Sequence, residues 1–158
     1  MRHIGLSNFS VPLVDRILKM AKVKPYCNQV ECHPHLQQRV LLKHCHEHGI
    51  RLVAYHPLGK PTHRKEGEPV AIAEPVIQAM AERHAKTPAQ IVLRWNLQRG
   101  VVVIPKSTTP SRIEENFRAG DGSFELTEEE MSAIAALDAG ARFCNPQWMP
   151  PDLFRDAE

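Results

Sequence analysis

The sequence lacks a long apolar run, a strong charge of either sign and an apolar leader. No stretch approaches the roughly 18 consecutive apolar residues of a transmembrane helix, so no membrane span is expected. The formal net charge is only +2, which is too small to indicate a nucleic acid or an anionic membrane surface as a partner. The first residues contain no apolar segment of the kind found in signal peptides. We therefore expect neither a nucleic-acid partner nor a membrane partner.

Paired-cysteine motifs are also missing. The chain has four cysteines, and no two of them stand in C-x-x-C spacing. Together with the missing leader, this favours free thiols in a reducing cytosol over a disulfide framework. We expect a cytoplasmic protein whose thiols are Cys27, Cys32, Cys45 and Cys144.

The composition that is present is typical of one globular domain. Hydrophobic residues make up 42% and charged residues 24% of the 158 residues, which is enough for a compact core. The thirteen prolines fall at the ends of apolar runs, which indicates many short junctions between strands and helices. No shift in composition marks a second domain. We expect residues 1–158 to form a single domain, with a surface tail from about residue 140.

Apolar periodicity predicts strands and helices that alternate along the chain. The predicted strands are 4–6, 26–31, 50–55 and 101–104, and the last is expected to be fully buried. The predicted helices are 10–24, 36–48, 74–84, 87–98, 111 onward and 127–137. Capping residues are predicted at Ser10 and Thr87, and Thr127 with Glu130 forms a predicted capping box. Repeated strand–helix units indicate an α/β fold with a parallel sheet.

Polar residues follow several of the predicted strands. In parallel α/β folds the carboxyl ends of the strands form the functional edge. In the strand 26–31, either Asn28 or Gln29 is expected to point inward. The polar residues at or near strand ends are Ser7, Asn8, Gln29, Tyr55, Lys106 and Ser107.

The turn after the last predicted strand has the features of a phosphate site. Lys106, Ser107, Thr108 and Thr109 lie between a strand and a helix, and Arg112 stands one turn into that helix. A helix N-terminus offers free backbone N–H groups and a positive dipole end, to which the two cations add fixed charge. The alternative is a solvated basic turn without a ligand.

Four segments in this order resemble the aldo-keto reductases. They are IGLSNF at 4–9, NQVECHP at 28–34, AYHPLG at 54–59 and IPKS at 104–107, the last followed by Arg112, Glu115 and Asn116. The resemblance implies an eight-stranded TIM-type (β/α)8 barrel. The segments look like its fifth to eighth βα units plus the C-terminal tail, which amounts to half a barrel.

The resemblance implies a cofactor, NADP(H), and a role for each matching residue. Ser7 and Asn8 match the pair that binds the nicotinamide carboxamide, and Gln29 matches the side chain that joins them. Tyr55 matches the tyrosine that stacks on the nicotinamide, and Leu58 matches the loop beside the pyrophosphate.

The remaining matches concern the adenosine end of the cofactor. The residues that match the 2′-phosphate and ribose site are Lys106, Ser107, Thr109 and Arg112. Glu115 and Asn116 match residues that contact the adenine amine. The two cations imply a preference for NADPH, because NADH has no 2′-phosphate. Two positions depart from the family pattern, since His56 replaces a usual serine and Lys60 replaces a small polar residue.

The resemblance also implies an absence. The family reduces aldehydes and ketones with an Asp, a Tyr, a Lys and a His that belong to the first half of the barrel, and no residue of this chain matches them. Tyr26 matches no catalytic motif. We expect the half of a reductase that binds the cofactor, with no catalytic residue of its own. The alternative is an inactive truncated product or pseudoenzyme that at most binds NADP(H).

The expected partners of a half barrel are a small-molecule carbonyl substrate and a second copy of the chain. In the complete enzyme the substrate rim would include Trp148 and the tail. Self-association is expected because half a barrel leaves two strand edges open.

Histidines raise a third hypothesis, a metal-binding or interaction module. His44 and His48 are four residues apart on a predicted helix and share a face. We expect Val40, Leu41 and Cys45 to form the apolar side of this helix, which places both histidines towards solvent. No third ligand has a recognisable spacing, so no metal site is predicted.

Overall fold

Four parallel strands form one sheet in the order β1-β2-β3-β4. The computed structural model describes residues 2–59, 67 and 69–144. The strands are β1 (Gly5–Ser7), β2 (Cys27–Glu31), β3 (Arg51–Tyr55) and β4 (Val102–Val103). Because every connection between neighbouring strands contains a helix, the predicted α/β class with a parallel sheet is confirmed.

Six α-helices accompany the sheet in the described part of the chain. They are α1 (Val11–Met20), α2 (Arg39–Glu47), α3 (Pro75–His84), α4 (Pro88–Gln98), α5 (Pro110–Arg118) and α6 (Glu128–Ala135). A short 3-10 turn, Ala71–Ala73, precedes α3. Prolines occupy the first turn of α1, α3, α4 and α5, where the missing N–H costs no hydrogen bond. Across the described ranges, no helix has the length and apolar character needed to cross a bilayer.

Three predicted helix caps have different outcomes. Thr87 and Gln90 form a capping box at the start of α4, and Thr127 and Glu130 form one at the start of α6, so both predicted caps are confirmed. Ser10 is the N-cap residue of α1, but its side chain makes no capping bond. Its Oγ is buried and has no hydrogen-bond partner among the described residues. The prediction of a side-chain cap at Ser10 was wrong.

Helix α2 begins at Arg39, three residues later than predicted. His33 and Leu36 exchange two backbone hydrogen bonds, of 3.1 and 2.9 Å, which keeps this segment in a tight turn. The side-chain amide of Gln37 is buried and donates to backbone carbonyls at the end of α6. Gln38 then has a left-handed φ of 53°, which is incompatible with a continuing helix. Tertiary contacts therefore override the local helical pattern.

The sheet has one covered and one open face. One face of the sheet is buried against the helices and carries Asn28, Val30, Leu52 and Ala54. Residues between these positions point to the other face, where Val53, for example, is partly exposed. The buried face packs with a cluster from the helices that includes Val14, Leu41, Leu42 and Cys45. Val40, predicted on the apolar side of α2, is instead 57% exposed, so that part of the prediction was wrong.

A second hydrophobic cluster joins α3, α4 and α6. Its buried side chains include Ile77, Met80, Ile91, Trp95 and Ile134. Trp95 is only 1% exposed. The guanidinium of Arg99 lies 4.1 Å from the centre of the indole ring, within cation–π range. This cluster holds α4 in place, and the N-terminus of α4 lines the cavity described in the next subsection.

The last strand is shorter and more exposed than predicted. The segment 101–104 was expected to be fully buried, but only Val102–Val103 pair as β4, and Val102 and Ile104 are 45% and 44% exposed. Both side chains lie on the open face, because Val102 pairs in register with Val53. Val101 is buried, as predicted. The expectation of full burial fails because, in the part of the chain that the structure describes, helices cover one face of this sheet and leave the other open.

Candidate functional site

The carboxyl ends of the strands bring four predicted residues into one region. Ser7 pairs in register with Gln29, and Tyr55 lies two register pairs further along β3, opposite Glu31. Asn8 follows β1 directly, and its N–H donates to the carbonyl oxygen of Gln29 at 2.9 Å. The predicted functional edge therefore exists as a row of polar side chains on neighbouring strands.

Tyr55 and Asn8 are joined by a side-chain hydrogen bond. The Tyr55 hydroxyl donates to Oδ1 of Asn8 at 3.0 Å. Asn8 has a left-handed φ of 61°, a conformation that asparagine tolerates better than most residues. Burial raises the pKa of the Tyr55 hydroxyl, and the hydrogen bond to Cys144 raises it further. The phenol is therefore a protonated donor that fixes the orientation of its ring.

The structure decides which polar residue of β2 faces the open side. Asn28 is fully buried on the helix side. Its side-chain Nδ2 donates to the Phe9 carbonyl at 2.8 Å, and the Phe9 N–H donates to its Oδ1 at 3.3 Å. Asn28 thus holds the turn after β1, and Gln29 is the residue on the open face.

A buried carboxylate at the end of β2 was not predicted to have a role. Both oxygens of Glu31 accept backbone bonds, from the N–H of Phe143 and of Cys144, each at 2.9 Å. Nε2 of His33 lies 3.2 Å from the same carboxylate, and the His33 ring stacks on Phe143. The tail was expected to begin near residue 140, and its described part lies against the sheet edge. Trp148 and the rest of the tail lie outside the described residues.

The electrostatics of this contact favour a charged Glu31 and a neutral His33. Burial alone would raise the pKa of Glu31, but the bonds from His33, Cys144 and Phe143 outweigh it and keep that pKa below its ordinary value. Burial lowers the pKa of His33, which the neighbouring Glu31 only partly opposes. The neutral ring can still donate its Nε2–H to the carboxylate. Sequence offered no signal for this, since the donors come from residues more than a hundred positions away.

Replacing Glu31 with glutamine should loosen the tail segment. The amide offers one acceptor oxygen in place of two, so one of the two N–H groups loses its partner, at a cost of about 1.5–3 kcal/mol. Amide hydrogen exchange at Phe143 and Cys144 should therefore accelerate in the E31Q variant.

The pH dependence gives a second readout of the same variant. Because the folded pKa of Glu31 is lowered, its stabilisation is fully present above the unfolded pKa of about 4.3 and is lost as the pH falls through the folded value. The parent chain should lose stability more steeply than E31Q below about pH 4.3 in urea titrations. Parallel curves for the two proteins would contradict this role of Glu31.

The other predicted residues line one cavity of about 640 Å³. It lies between the N-terminus of α4, the β4–α5 turn and the outward side of α5. The predicted residues at this cavity are Leu58, Lys106, Ser107, Thr109, Arg112, Glu115 and Asn116. Ser7, Asn8, Gln29 and Tyr55 are not among its lining residues, so the eleven predicted residues fall into two groups.

The cavity has a basic end. Lys106 and Arg112 both line it, and within the described ranges neither is paired with a carboxylate. They flank the start of α5, where the first-turn N–H groups have no intrahelical acceptors. Thr109 is the N-cap residue but makes no side-chain capping bond, and its N–H donates to Oγ of Ser107 at 3.1 Å. Two unpaired cations at a helix N-terminus favour an anion of phosphate type.

The cavity is also lined by a carboxylate held in place by hydrogen bonds. The Thr87 hydroxyl donates to Oε1 of Glu115 at 2.5 Å, and Nε2 of Gln90 donates to the Glu115 backbone carbonyl at 3.2 Å. Because Thr87 and Gln90 also form the α4 capping box, the same residues cap α4 and tie it to α5. Glu115 can therefore accept a hydrogen bond from an amino group in the cavity without first being ordered.

The two positions that depart from the family pattern lie after β3. His56 is exposed and has a left-handed φ of 48°, and its carbonyl accepts the Gly59 N–H at 2.8 Å. Gly59 has a φ of 71°, at which any other side chain would be strained, and a β-carbon on it would stand 3.5 Å from a ring carbon of Phe143. This turn places Leu58 at the cavity. Lys60 lies outside the described residues.

Comparison with known proteins finds a matching family model and related sequences. Residues 1–139 match the model of the family described as "Aldo/keto reductase family". The chain is 50% identical over 147 residues to aldo-keto reductase family 1 member A1 of Xenopus tropicalis, covering 92% of this chain and 44% of that protein. It is 47% identical to the member A1 protein of Sus scrofa over 148 residues, again 92% of this chain and 45% of that protein.

A third relative covers nearly all of this chain. Aldo-keto reductase family 1 member A1-A of Danio rerio is 46% identical over an alignment of 161 residues. This alignment covers 99% of this chain and 49% of that protein. The chain thus spans less than half the length of these curated relatives.

Proposed function

The chain belongs to the aldo/keto reductase family, and from this premise we propose that it is the half of a (β/α)8 barrel that binds NADP(H). Strands β1 to β4 would be the fifth to eighth strands of that barrel. Within the described ranges, one face of the sheet is open and no strand pairs with the outer edge of β1 or of β4; both features support this, because a barrel closes them. Self-association of the 158-residue chain through these edges stays a prediction.

The basic end of the cavity carries the proposal about the cofactor. Lys106 and Arg112 would hold the 2′-phosphate, with Ser107 and Thr109 donating hydroxyl hydrogen bonds beside them. These cations line a cavity of about 640 Å³ and have no carboxylate partner in the part of the chain described. Glu115, held by Thr87, would accept a hydrogen bond from the adenine amine, and Asn116 lies next to it. Leu58 would pack beside the pyrophosphate.

The row of polar residues at the strand ends would hold the nicotinamide. Ser7, Asn8 and Gln29 would bind its carboxamide, and the Tyr55 ring would cover one of its faces. The hydrogen bond from the Tyr55 hydroxyl to Asn8 supports this, because it holds the ring and the amide in one arrangement. When bound, NADPH supplies a hydride, and these side chains would decide which face of the nicotinamide is free to give it.

For the whole protein we propose reversible reduction of a small carbonyl compound to an alcohol, in a reducing cytosol. None of the four cysteines, all of which the structure describes, is in a disulfide, which suits such a compartment. No residue of this chain matches the family's catalytic Asp, Tyr, Lys and His, so its own contribution would be to bind and orient. The alternative is a protein that only binds the nucleotide, and the short coverage of the relatives keeps that alternative open.

A titration with both reduced cofactors tests the proposal. We expect the 158-residue chain to bind NADPH at least tenfold more tightly than NADH, since NADH leaves the two cations without an anion. The measurement is the quenching of protein fluorescence at fixed ionic strength. The control is competition by adenosine 2′,5′-bisphosphate, which should displace NADPH, whereas adenosine 5′-phosphate should not. Equal weak binding of both cofactors would overturn the proposal for this chain.

A further inference from the structure

Three side chains with metal-binding groups meet on the surface formed by α1 and α2. Asp15 of α1 and His44 and His48 of α2 each offer one ligand atom, and these atoms lie within 4.8 Å of one another. Nε2 of His44 is 2.9 Å from Oδ1 of Asp15. Ligand atoms of a tetrahedral zinc ion stand about 3.3–3.6 Å apart, because Zn–N and Zn–O distances are about 2.0–2.2 Å, so small side-chain rotations would bring these three atoms to that spacing.

The ring of His48 is in an orientation suited to coordination. Nδ1 of His48 lies 2.9 Å from the backbone carbonyl of His44, so Nδ1 carries the proton and donates, and the lone pair is on Nε2. Histidines that bind metals typically donate their second ring nitrogen to a carbonyl in this way. The i, i+4 spacing puts both rings on one side of α2, with centroids 4.4 Å apart.

The strongest single sign is a buried ring nitrogen without a hydrogen bond. Nε2 of His44 is buried, and within the described residues it makes no hydrogen bond of acceptable geometry, although the Asp15 carboxylate is close. A buried polar atom left in this way costs free energy that a bound ligand would recover. An ordinary histidine–carboxylate pair would direct the N–H at the carboxylate oxygen instead.

We propose that Asp15, His44 and His48 form a site for Zn²⁺ that links α1 to α2. Two imidazole nitrogens and one carboxylate oxygen are three of the four ligands that zinc takes, and a water would complete the tetrahedron. Room for that water exists, since the side chains of Asp15 and His44 are 45% and 17% exposed and His48 is exposed. Among the described residues, Lys24 lies close to this cluster, but its Nζ donates to the backbone carbonyl of His48 and not to the imidazole ring.

The site is independent of the nucleotide proposal. None of its three residues lines the cavity at α4 and α5. Zinc bound there would stabilise the folded chain by joining two helices that cover the same sheet face, because a ligand that binds only the folded state adds to its stability. Zinc binding at this site can therefore be measured without cofactor or substrate.

Calorimetric titration of the full chain with Zn²⁺ alone tests the proposal. We expect one equivalent to bind and to raise the melting temperature. Replacement of the exposed His48 with alanine should weaken binding at least tenfold and remove the thermal shift, as should D15N. The matched control is H46A, which removes a histidine of the same helix that lies against Gly100 and should change neither value.

Two further measurements distinguish loss of a zinc ligand from unfolding and from zinc binding to cysteine. Circular dichroism of metal-free H48A, D15N and H46A should match the parent chain, which separates loss of a ligand from loss of the fold. Co²⁺ should give a tetrahedral absorption spectrum without a thiolate charge-transfer band. Equal affinity for the parent chain and H48A, a thiolate band, or no binding by the parent chain would each overturn the proposal.

Discussion

Replacing Arg112 with alanine is expected to weaken NADPH binding tenfold or more and to leave NADH binding almost unchanged. Arg112 lines the cavity from the first turn of α5 and has no carboxylate partner in the described residues. A hydrogen bond to a charged group contributes about 1.5–3 kcal/mol, which corresponds to a loss of roughly 10- to 150-fold in affinity. The effect should be specific for NADPH because only NADPH carries the 2′-phosphate.

Arg118 provides the matched control on the same helix. It lies at the end of α5, pairs with Glu114 at 2.6 Å and does not line this cavity. The R118A variant removes the same charge from the same helix and should retain the NADPH preference. Fluorescence titrations of both variants at low and high salt measure the difference. If R112A and R118A lost affinity equally, the effect would be one of net charge and the assigned phosphate site would be wrong.

Replacing Trp95 with alanine should have the largest effect on stability, about 3–5 kcal/mol. The indole is 1% exposed and joins α4 to the cluster that includes Ile77 and Ile134. Its removal leaves a cavity in this cluster and also takes away the ring on which Arg99 stacks. Domains of this size are stable by only about 5–15 kcal/mol, so the variant should be largely unfolded at modest urea concentrations.

Two variants act as controls for this measurement. Trp95→Phe keeps much of the buried ring and should cost less than the alanine change. Phe117→Ala removes an aromatic side chain that is 81% exposed and should change the free energy of unfolding by no more than about 0.5 kcal/mol. Urea unfolding followed by circular dichroism compares all three. A loss for F117A as large as for W95A would mean that Phe117 is covered in the chain as it exists in solution.

Much of the secondary structure is predictable because its signals are local. Proline in the first helical turn, the capping boxes at Thr87 and Thr127, and alternating apolar runs each depend on residues a few positions apart. The α/β class, the parallel sheet and the helix that follows the basic turn were all predicted from such signals. The motifs that resemble the aldo-keto reductases also predicted the family that the comparisons then showed.

The errors have a common physical cause, which is that local pattern does not show whether a distant segment lies against a residue. The start of α2 moves because the Gln37 side chain binds carbonyls at the end of α6. Val40 is exposed although the helical pattern placed it on the apolar side. The strand at Val102 is half exposed because none of the described elements covers the open face of the sheet. Periodicity reports which side chains share a face and not what lies opposite that face.

For the candidate site, the sequence by itself determined the residue types, the order of the motifs and the basic turn before α5. Only the tertiary structure decided that Gln29 and not Asn28 is on the open face, since Asn28 binds both backbone groups of Phe9. The tertiary structure alone shows that Asp15 lies next to His44 and that Glu31 accepts hydrogen bonds from N–H groups of the tail. The physical reason is that side-chain chemistry is encoded at each position, whereas hydrogen-bond partners and burial depend on which distant segments the folded chain places together.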